Sequence, residues 1–183
     1  RERILKGLYK FKKSTASHKL KAQILGSGAI IRSALKAAEI LEKDYGVSVD
    51  VWSATSYKQL RTDAMNAKRW NMLHPVSAPK KSYLEETLEK EEGIFVAVSD
   101  NMKVVPDQIA PWVPGGLTTL GTDGFGRSDT RENLRRFFEV DAQSTVIAVL
   151  YALAEKGKIE KKMVEKAIKD LNVDPEKVHS ILV

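Results

Sequence analysis

Two aspartates and two arginines crowd into one short stretch, Gly121-Thr122-Asp123-Gly124-Phe125-Gly126-Arg127-Ser128-Asp129-Thr130-Arg131-Glu132. Asp123 and Asp129 could work as an acid/base pair, and Arg127 and Arg131 could hold an anion through forked hydrogen bonds. The same residue types also serve structure. Asp129 stands where it can cap a helix, with Glu132 three residues on, and Asp123 can brace its own turn. The arginines can pair with carboxylates across the loop or across a domain interface. No hydrophobic period runs through the stretch, and its glycines mark a hinged loop. We read it as an interface loop, with Asp123, Arg127, Ser128, Asp129 and Arg131 as interface or anion contacts.

Gly26-Ser27-Gly28 sits between a strand pattern and a helix pattern, where a phosphate-cradling turn would lie. The third glycine of a dinucleotide fingerprint would fall at Ile31, and no P-loop Lys-Ser/Thr follows. A tight βα turn is the reading, with Ser27 kept as a contact candidate. The three histidines, His18, His74 and His179, lack the i, i+3 or i+4 companion of a helical metal site. His74 precedes Pro75 and reads as a helix C-terminal cap facing the dipole; it too is kept as a contact candidate. With no cysteine there is no thiolate nucleophile, disulfide or Cys-ligated zinc. Trp52, Trp70 and Trp112 read as core or interface anchors.

The elements that position these residues alternate along the chain. Leu8 to Phe11 alternates weakly, as a short edge strand does. Leu20–Leu25 and Val47–Trp52 read as strands, and Ile94-Phe95-Val96-Ala97-Val98 as a central strand covered on both faces. Leu117–Leu120 is a short strand. Ile31, Leu35, Ala38, Leu41 and Tyr45 recur at helical spacing up to Gly46. Ser56-Tyr57-Lys58-Gln59 and Ser82-Tyr83-Leu84-Glu85 have capping-box spacing; the first opens a helix running to Leu73. A short helix near Met102 is limited by Pro106. Asp129 and Asp141 cap two further helices, Ile159, Met163, Ala167 and Leu171 form another stripe, and Asp174-Pro175 starts a final short helix. This order predicts a largely parallel sheet with helices on both faces.

The 183 residues are expected to form one domain, 1–183, with 43% hydrophobic and 30% charged residues. No apolar run near 18 residues stands out, so no membrane span is expected. The net charge of +6 comes from lysines dispersed among acids, not from a basic and aromatic face, so nucleic-acid binding is not expected. The start at Arg1-Glu2-Arg3-Ile4 is that expected of a fragment of a longer chain, and the absence of cysteine fits a cytoplasmic protein.

Read on through Asn133-Leu134-Arg135-Arg136-Phe137-Phe138-Glu139-Val140-Asp141, the glycine-hinged stretch resembles the C-terminal domain of the decarboxylating component of the pyruvate dehydrogenase complex, of the homodimeric bacterial type. Leu25-Gly26-Ser27-Gly28, Ala37-Ala38-Glu39-Ile40-Leu41, Asp44-Tyr45-Gly46-Val47 and Trp70-Asn71-Met72-Leu73-His74-Pro75 carry the resemblance along nearly the whole chain. Two departures are local: Asn101 stands where the family commonly has an aromatic, and Ala64 where glycine is common.

The resemblance implies a fold, the transketolase C-terminal-like α/β/α sandwich of three layers. Its five-stranded sheet is mixed and mostly parallel, with the first strand antiparallel. It also implies a parent enzyme that decarboxylates pyruvate with thiamine diphosphate and Mg²⁺ and passes the two-carbon unit to the lipoyl group of dihydrolipoyl acetyltransferase. The family's cofactor motif begins Gly-Asp-Gly and ends at Asn-Asn; here Thr122 precedes Asp123-Gly124 and no Asn-Asn follows. The expectation is therefore a domain without catalytic, cofactor or metal residues of its own. Its partners would be the other domains of the parent chain and the second subunit of a homodimer in the bacterial cytoplasm. An autonomous, regulatory, anion-binding domain using Gly26–Gly28 and the Gly121–Arg131 loop is the alternative.

Overall fold

The computed structural model describes residues 2–183. β1 (Leu8–Lys12), β2 (Leu20–Gly26), β3 (Val47–Ala54), β4 (Ile94–Val98) and β5 (Leu117–Leu120) form a five-stranded sheet in the order β1-β3-β2-β4-β5. β3, β2, β4 and β5 are parallel, and β1 lies antiparallel on β3 at the edge. The mixed sheet with an antiparallel first strand is the one expected.

β4 reads as a continuous apolar run because both of its faces are covered, and along β2 and β4 successive side chains alternate between two cores. Ala22 and Ile24 of β2, and Val96 and Val98 of β4, point to α2 (Ile31–Asp44), α7 (Ala142–Glu155) and α8 (Lys161–Asp170). Leu25 of β2, with Phe95 and Ala97 of β4, points to α3 (Tyr57–Leu73) and α4 (Tyr83–Leu88) on the other face. α2 meets the sheet through Ala34, Ala37, Ala38 and Leu41, small side chains that let the helix come close. Ile31, Leu35 and Tyr45 of the predicted stripe are only partly buried at its margin.

One polar side chain belongs to the second core. Gln23 is 4% exposed; its Oε1 accepts the Trp52 indole N–H at 2.7 Å and its Nε2 donates to the Glu92 carbonyl at 2.9 Å. The Tyr57 hydroxyl, in contrast, is buried with no hydrogen-bond partner among the described residues, and burial pushes its pKa up.

The caps set the helix starts. Ser82 and Glu85 form both halves of the predicted box. At α3 only half is present: Ser56 Oγ accepts the Gln59 N–H at 3.1 Å, and among the described residues no reciprocal bond forms. Pro106 lies inside the one-turn helix α5 (Val104–Asp107), where its missing N–H would be an orphan in any case. A first-turn helix, α1 (Glu2–Leu5), carries no periodic signal and was not expected.

The final helix predicted at Asp174-Pro175 does not form. Asp174 Oδ1 accepts the Glu176 N–H at 2.9 Å in a turn, and Lys177 Nζ donates to the Phe137 carbonyl at 2.6 Å. These contacts hold the tail against the corner between α6 (Arg131–Phe137) and α7, and the remaining segment is too short to offset helix nucleation. The tail ends in a 3₁₀ turn, Ser180–Leu182.

The expectation of no long apolar run needs qualifying. Arg131–Glu155 spans 25 residues with a mean hydropathy of 1.3 in its most apolar window, enough by length and composition to cross a membrane. Its backbone breaks at Glu139, φ 58°, Asp141 caps α7 separately, and α7 packs on α2 and the sheet. It is a core helix.

The two buried polar groups predict opposite outcomes. Gln23→Leu keeps the volume but orphans the Trp52 N–H and should cost about 1–3 kcal/mol in urea unfolding. Tyr57→Phe removes a hydroxyl that bonds nothing and should leave stability unchanged or raised. A Tyr57→Phe loss as large as that of Gln23→Leu would contradict this assignment.

Candidate functional site

β2 sits between β3 and β4, so the chain leaves β2 towards one side of the sheet and β4 towards the other. Where successive connections diverge, the C-terminal strand ends leave a crevice. The turns after β2, β4 and β5 meet there. Ser27 Oγ donates to Ser99 Oγ at 2.8 Å, both buried, closing the base between the first two. Gly26 lets α2 start tight on the strand: a Cβ there would lie 3.0 Å from Ile31 Cα. This is the tight βα turn read from the sequence, and Ser27 bonds within the fold.

The turns after β4 and β5 are laced together. Asn101 closes its own turn, its N–H donating to Ser99 Oγ at 3.0 Å and its carbonyl accepting the Thr122 N–H at 3.0 Å. Its side chain adds a bond that an aromatic could not, Nδ2 donating to Ser99 Oγ at 3.3 Å. Thr122 Oγ1 donates to the Asp100 carbonyl at 2.9 Å. Asp123 was expected to brace its own turn; instead its Oδ1 accepts the Lys103 N–H at 3.0 Å from the neighbouring loop. A Cβ on Gly121 would stand 2.6 Å from the Asn101 carbonyl oxygen, and only glycine allows that approach.

The C-terminal tail straps the far side. Ser180 Oγ donates to the Asp123 carbonyl at 2.7 Å, and Lys103 Nζ lies 3.4 Å from His179 Nε2. Gly124 has φ +110° and its missing Cβ would overlap the Ser180 carbonyl. Phe125, 84% exposed, flanks this contact on one side, and Ile181 and Leu182, 59% and 75% exposed, on the other.

Asp129 does not cap α6. Thr130 does, its Oγ1 accepting the Asn133 N–H at 3.3 Å from an extended backbone, φ −62°, ψ 152°. Asp129 stands one residue earlier, accepting from Asn133 Nδ2 at 2.8 Å and from the Thr130 N–H at 2.6 Å. The Asn133 amide, then the Thr130 N–H, hold its carboxyl below the ordinary value of 3.8. The predicted carboxylate pairing of the arginines within the loop is absent among the described residues. Arg127 stacks its guanidinium over the Phe137 ring at 4.4 Å, because the ring face is the negative surface within reach.

A cavity of about 550 Å³ opens between these loops and α6. Arg127, Asp129 and Arg131 of the predicted residues line it; Asp123, Ser27, Ser128 and His74 do not. The sequence reading missed Asp100 and Arg135, which also line it. Arg135 donates to the Ala29 carbonyl at 3.3 Å, tying α6 to the turn after β2. Its helical position was legible, but nothing local marked it for that turn. His74 ends α3 elsewhere, as read: its Nδ1 is 2.8 Å from the Trp70 carbonyl and its ring stacks on Trp70 at 4.3 Å.

The oxygen donors here do not fit a magnesium-bound diphosphate. Asp123 and Asp129 are engaged by different N–H groups, and among the described residues no three His, Asp or Glu side chains gather as metal ligands would. What the crevice offers for recognition is guanidinium from Arg127, Arg131 and Arg135, carboxylate from Asp100 and Asp129, and apolar surface.

Comparison with known proteins follows this geometry. The model of the transketolase-like TK C-terminal domain matches residues 7–141. The chain is 48% identical over 180 residues to the pyruvate dehydrogenase E1 component of Pseudomonas aeruginosa, covering 96% of this chain and 20% of that protein. It is 48% identical to the protein of the same name from Escherichia coli over 97% of this chain and 20% of that one. For Mycobacterium tuberculosis the identity is 43% over 94% and 19%. The chain thus spans about a fifth of the length of these curated relatives. Among solved structures, transketolase from Campylobacter jejuni superposes with a TM-score of 0.54 at 19% identity, over 80% of this chain and 18% of that one. Transketolase from Pichia stipitis in complex with sedoheptulose-7-phosphate gives 0.56 at 18% identity, over 86% and 19%. At that identity the likeness is one of fold.

Thr130→Ala should cost about 1 kcal/mol in denaturant unfolding, the usual worth of a cap. Asp129 contributes through its ionised form, so its support is complete above pH 3.8 and lost as pH falls through its depressed folded value. A carboxyl NMR titration should place Asp129 below 3.8, and Asn133→Ala should move it back towards that value. An Asp129 titration unmoved by Asn133→Ala would remove the assigned cause.

Proposed function

This chain belongs to the transketolase-like TK C-terminal domain family, and on that premise we propose that it is the C-terminal domain of a homodimeric-type pyruvate dehydrogenase decarboxylating component. The observation that carries the reading is 48% identity maintained over 96% of the chain. The parent enzyme would decarboxylate pyruvate with thiamine diphosphate and Mg²⁺ and acetylate the lipoyl group of dihydrolipoyl acetyltransferase, in the bacterial cytoplasm. The cofactor and metal are assigned to other domains of the parent, since among the described residues no three His, Asp or Glu side chains gather as metal ligands would. Similarity along nearly the whole chain to one component of a larger enzyme disfavours an autonomous regulatory anion-binding domain.

In this reading residues 1–183 form one domain that completes the assembly. The loop end of the sheet is its contact surface for the other domains and the second subunit. Phe125, Ile181 and Leu182 supply exposed apolar area, and Arg127 and Arg131 supply cations able to fork onto carboxylates. The lacing of Gly121, Asp123 and Ser180 fixes that surface before it meets a partner, which lowers the entropy lost on contact.

The test is Arg127→Ala in the full-length protein, with sedimentation and single-turnover decarboxylation measured on one sample. The dimer should weaken while chemistry per assembled dimer is kept. An intact dimer with chemistry slowed by about a thousandfold, the size of a lost transition-state contact, would move the loop into the active site.

A further inference from the structure

A second cavity lies at the opposite end of the sheet, under the N-terminal ends of β2, β4 and β5 and beside the turn joining α7 to α8. It is a groove of about 1300 Å³. Leu20, Ile94 and Leu117 give it an apolar floor, and Tyr151 and Met163, 51% and 37% exposed, stand on its wall. Its rim is basic. Glu92 is already paired with Lys21 at 2.5 Å, and Glu155 with Lys161 at 3.9 Å. Lys19, Lys156 and Lys158 have no acid partner among the described residues, leaving the rim with uncompensated positive charge.

The groove runs onto an unprotected sheet edge. At the opposite edge, β1 carries Lys10 and Lys12 and a bulge between them, two devices that discourage strand addition. β5 reads Leu-Thr-Thr-Leu, with no charge, no proline and no bulge. Among the described residues, no hydrogen bond beyond its ladder with β4 reaches the backbone of Leu117, Thr118 or Thr119. Gly115 and Gly116, just before the strand, have nothing within 4 Å of where a Cβ would be, and at the far end Thr119 Oγ1 donates to Asp107 Oδ1 at 2.6 Å.

We propose that this groove takes an acidic, extended segment of a partner polypeptide. Its backbone pairs with the free edge of β5, alternate apolar side chains rest on the Tyr151–Met163 wall, and its carboxylates meet Lys19, Lys156 and Lys158. Backbone pairing gives affinity and alternate side chains give selectivity. The rim chooses the occupant: a second copy of this chain would bring the same lysines against themselves, whereas an acidic segment neutralises them. The inference stands apart from the assignment of the parent enzyme.

The probe is a short labelled peptide alternating glutamate and valine, titrated by fluorescence anisotropy into the full-length protein. Saturable binding is expected, weakened by salt, with amide exchange slowed at Leu117–Thr119. Lys156→Glu with Lys158→Glu should lower affinity by about tenfold or more. Both side chains are exposed, so the fold should persist, as circular dichroism will show; Lys156→Gln with Lys158→Gln should give a smaller loss. The proposal is overturned by absence of binding, by equal binding to the charge-reversed variant, or by binding without protection of β5. Displacement by inorganic phosphate would show a small-anion site, and dimerisation through β5 would show a second copy; either also overturns it.

Discussion

The position of β2, flanked in parallel by β3 and β4, governs the rest of this molecule. Parallel strands send all their C-terminal ends to one side of the sheet, and the divergence of the connections after β2 and β4 opens a crevice there. That arrangement brings Gly26–Gly28, Ser99–Lys103 and Gly121–Arg131 together from distant parts of the chain. The Ser27–Ser99 bond at the base is possible because both serines leave their strands at matching heights. Above it, approach is limited by backbone: Gly121 against Asn101 and Gly124 against Ser180 occupy distances that a side chain would forbid.

Close approach decides what the polar groups can do. Once backbone N–H groups are drawn together, they need acceptors, and Asp123 and Asp129 supply them. Their carboxylate oxygens are taken up by N–H donors, so the residues that could have formed an acid/base pair instead hold the loops. Arg127 and Arg131 remain at the surface, where cations recognise more than they catalyse. A comparable economy holds the antiparallel edge. Burial works against the charge of Lys10, but bonds to Asp50 at 2.6 Å and Glu91 at 2.7 Å outweigh it and raise its pKa. That support is complete below the ordinary lysine range and is lost only as pH rises through the raised value.

Much of the fold was legible because burial leaves a periodic signature. Ile94–Val98 could only be a covered strand, and Ser82 with Glu85 could only open a helix, since those patterns are local. The site was legible in composition but not in detail. Asp129 and Thr130 are adjacent and both can cap; the choice depends on the direction from which the loop enters α6, which the lacing to other loops and the tail sets. The tail itself turns instead of coiling because Lys177 meets Phe137 and Glu139, contacts that no sequence period announces. The bonds of Gln23 had no local signal, since its partners, Trp52 and Glu92, lie far along the chain.

Recognition surface without cofactor chemistry is what this chain is expected to supply to its parent. Calorimetric titration of the separately produced 183-residue chain with thiamine diphosphate and Mg²⁺ tests it most directly, with circular dichroism establishing the fold in the same sample. The structure predicts no saturable heat in the range where the parent enzyme binds. Saturable binding tighter than about 1 mM, or about −4 kcal/mol, by a folded sample would contradict the account.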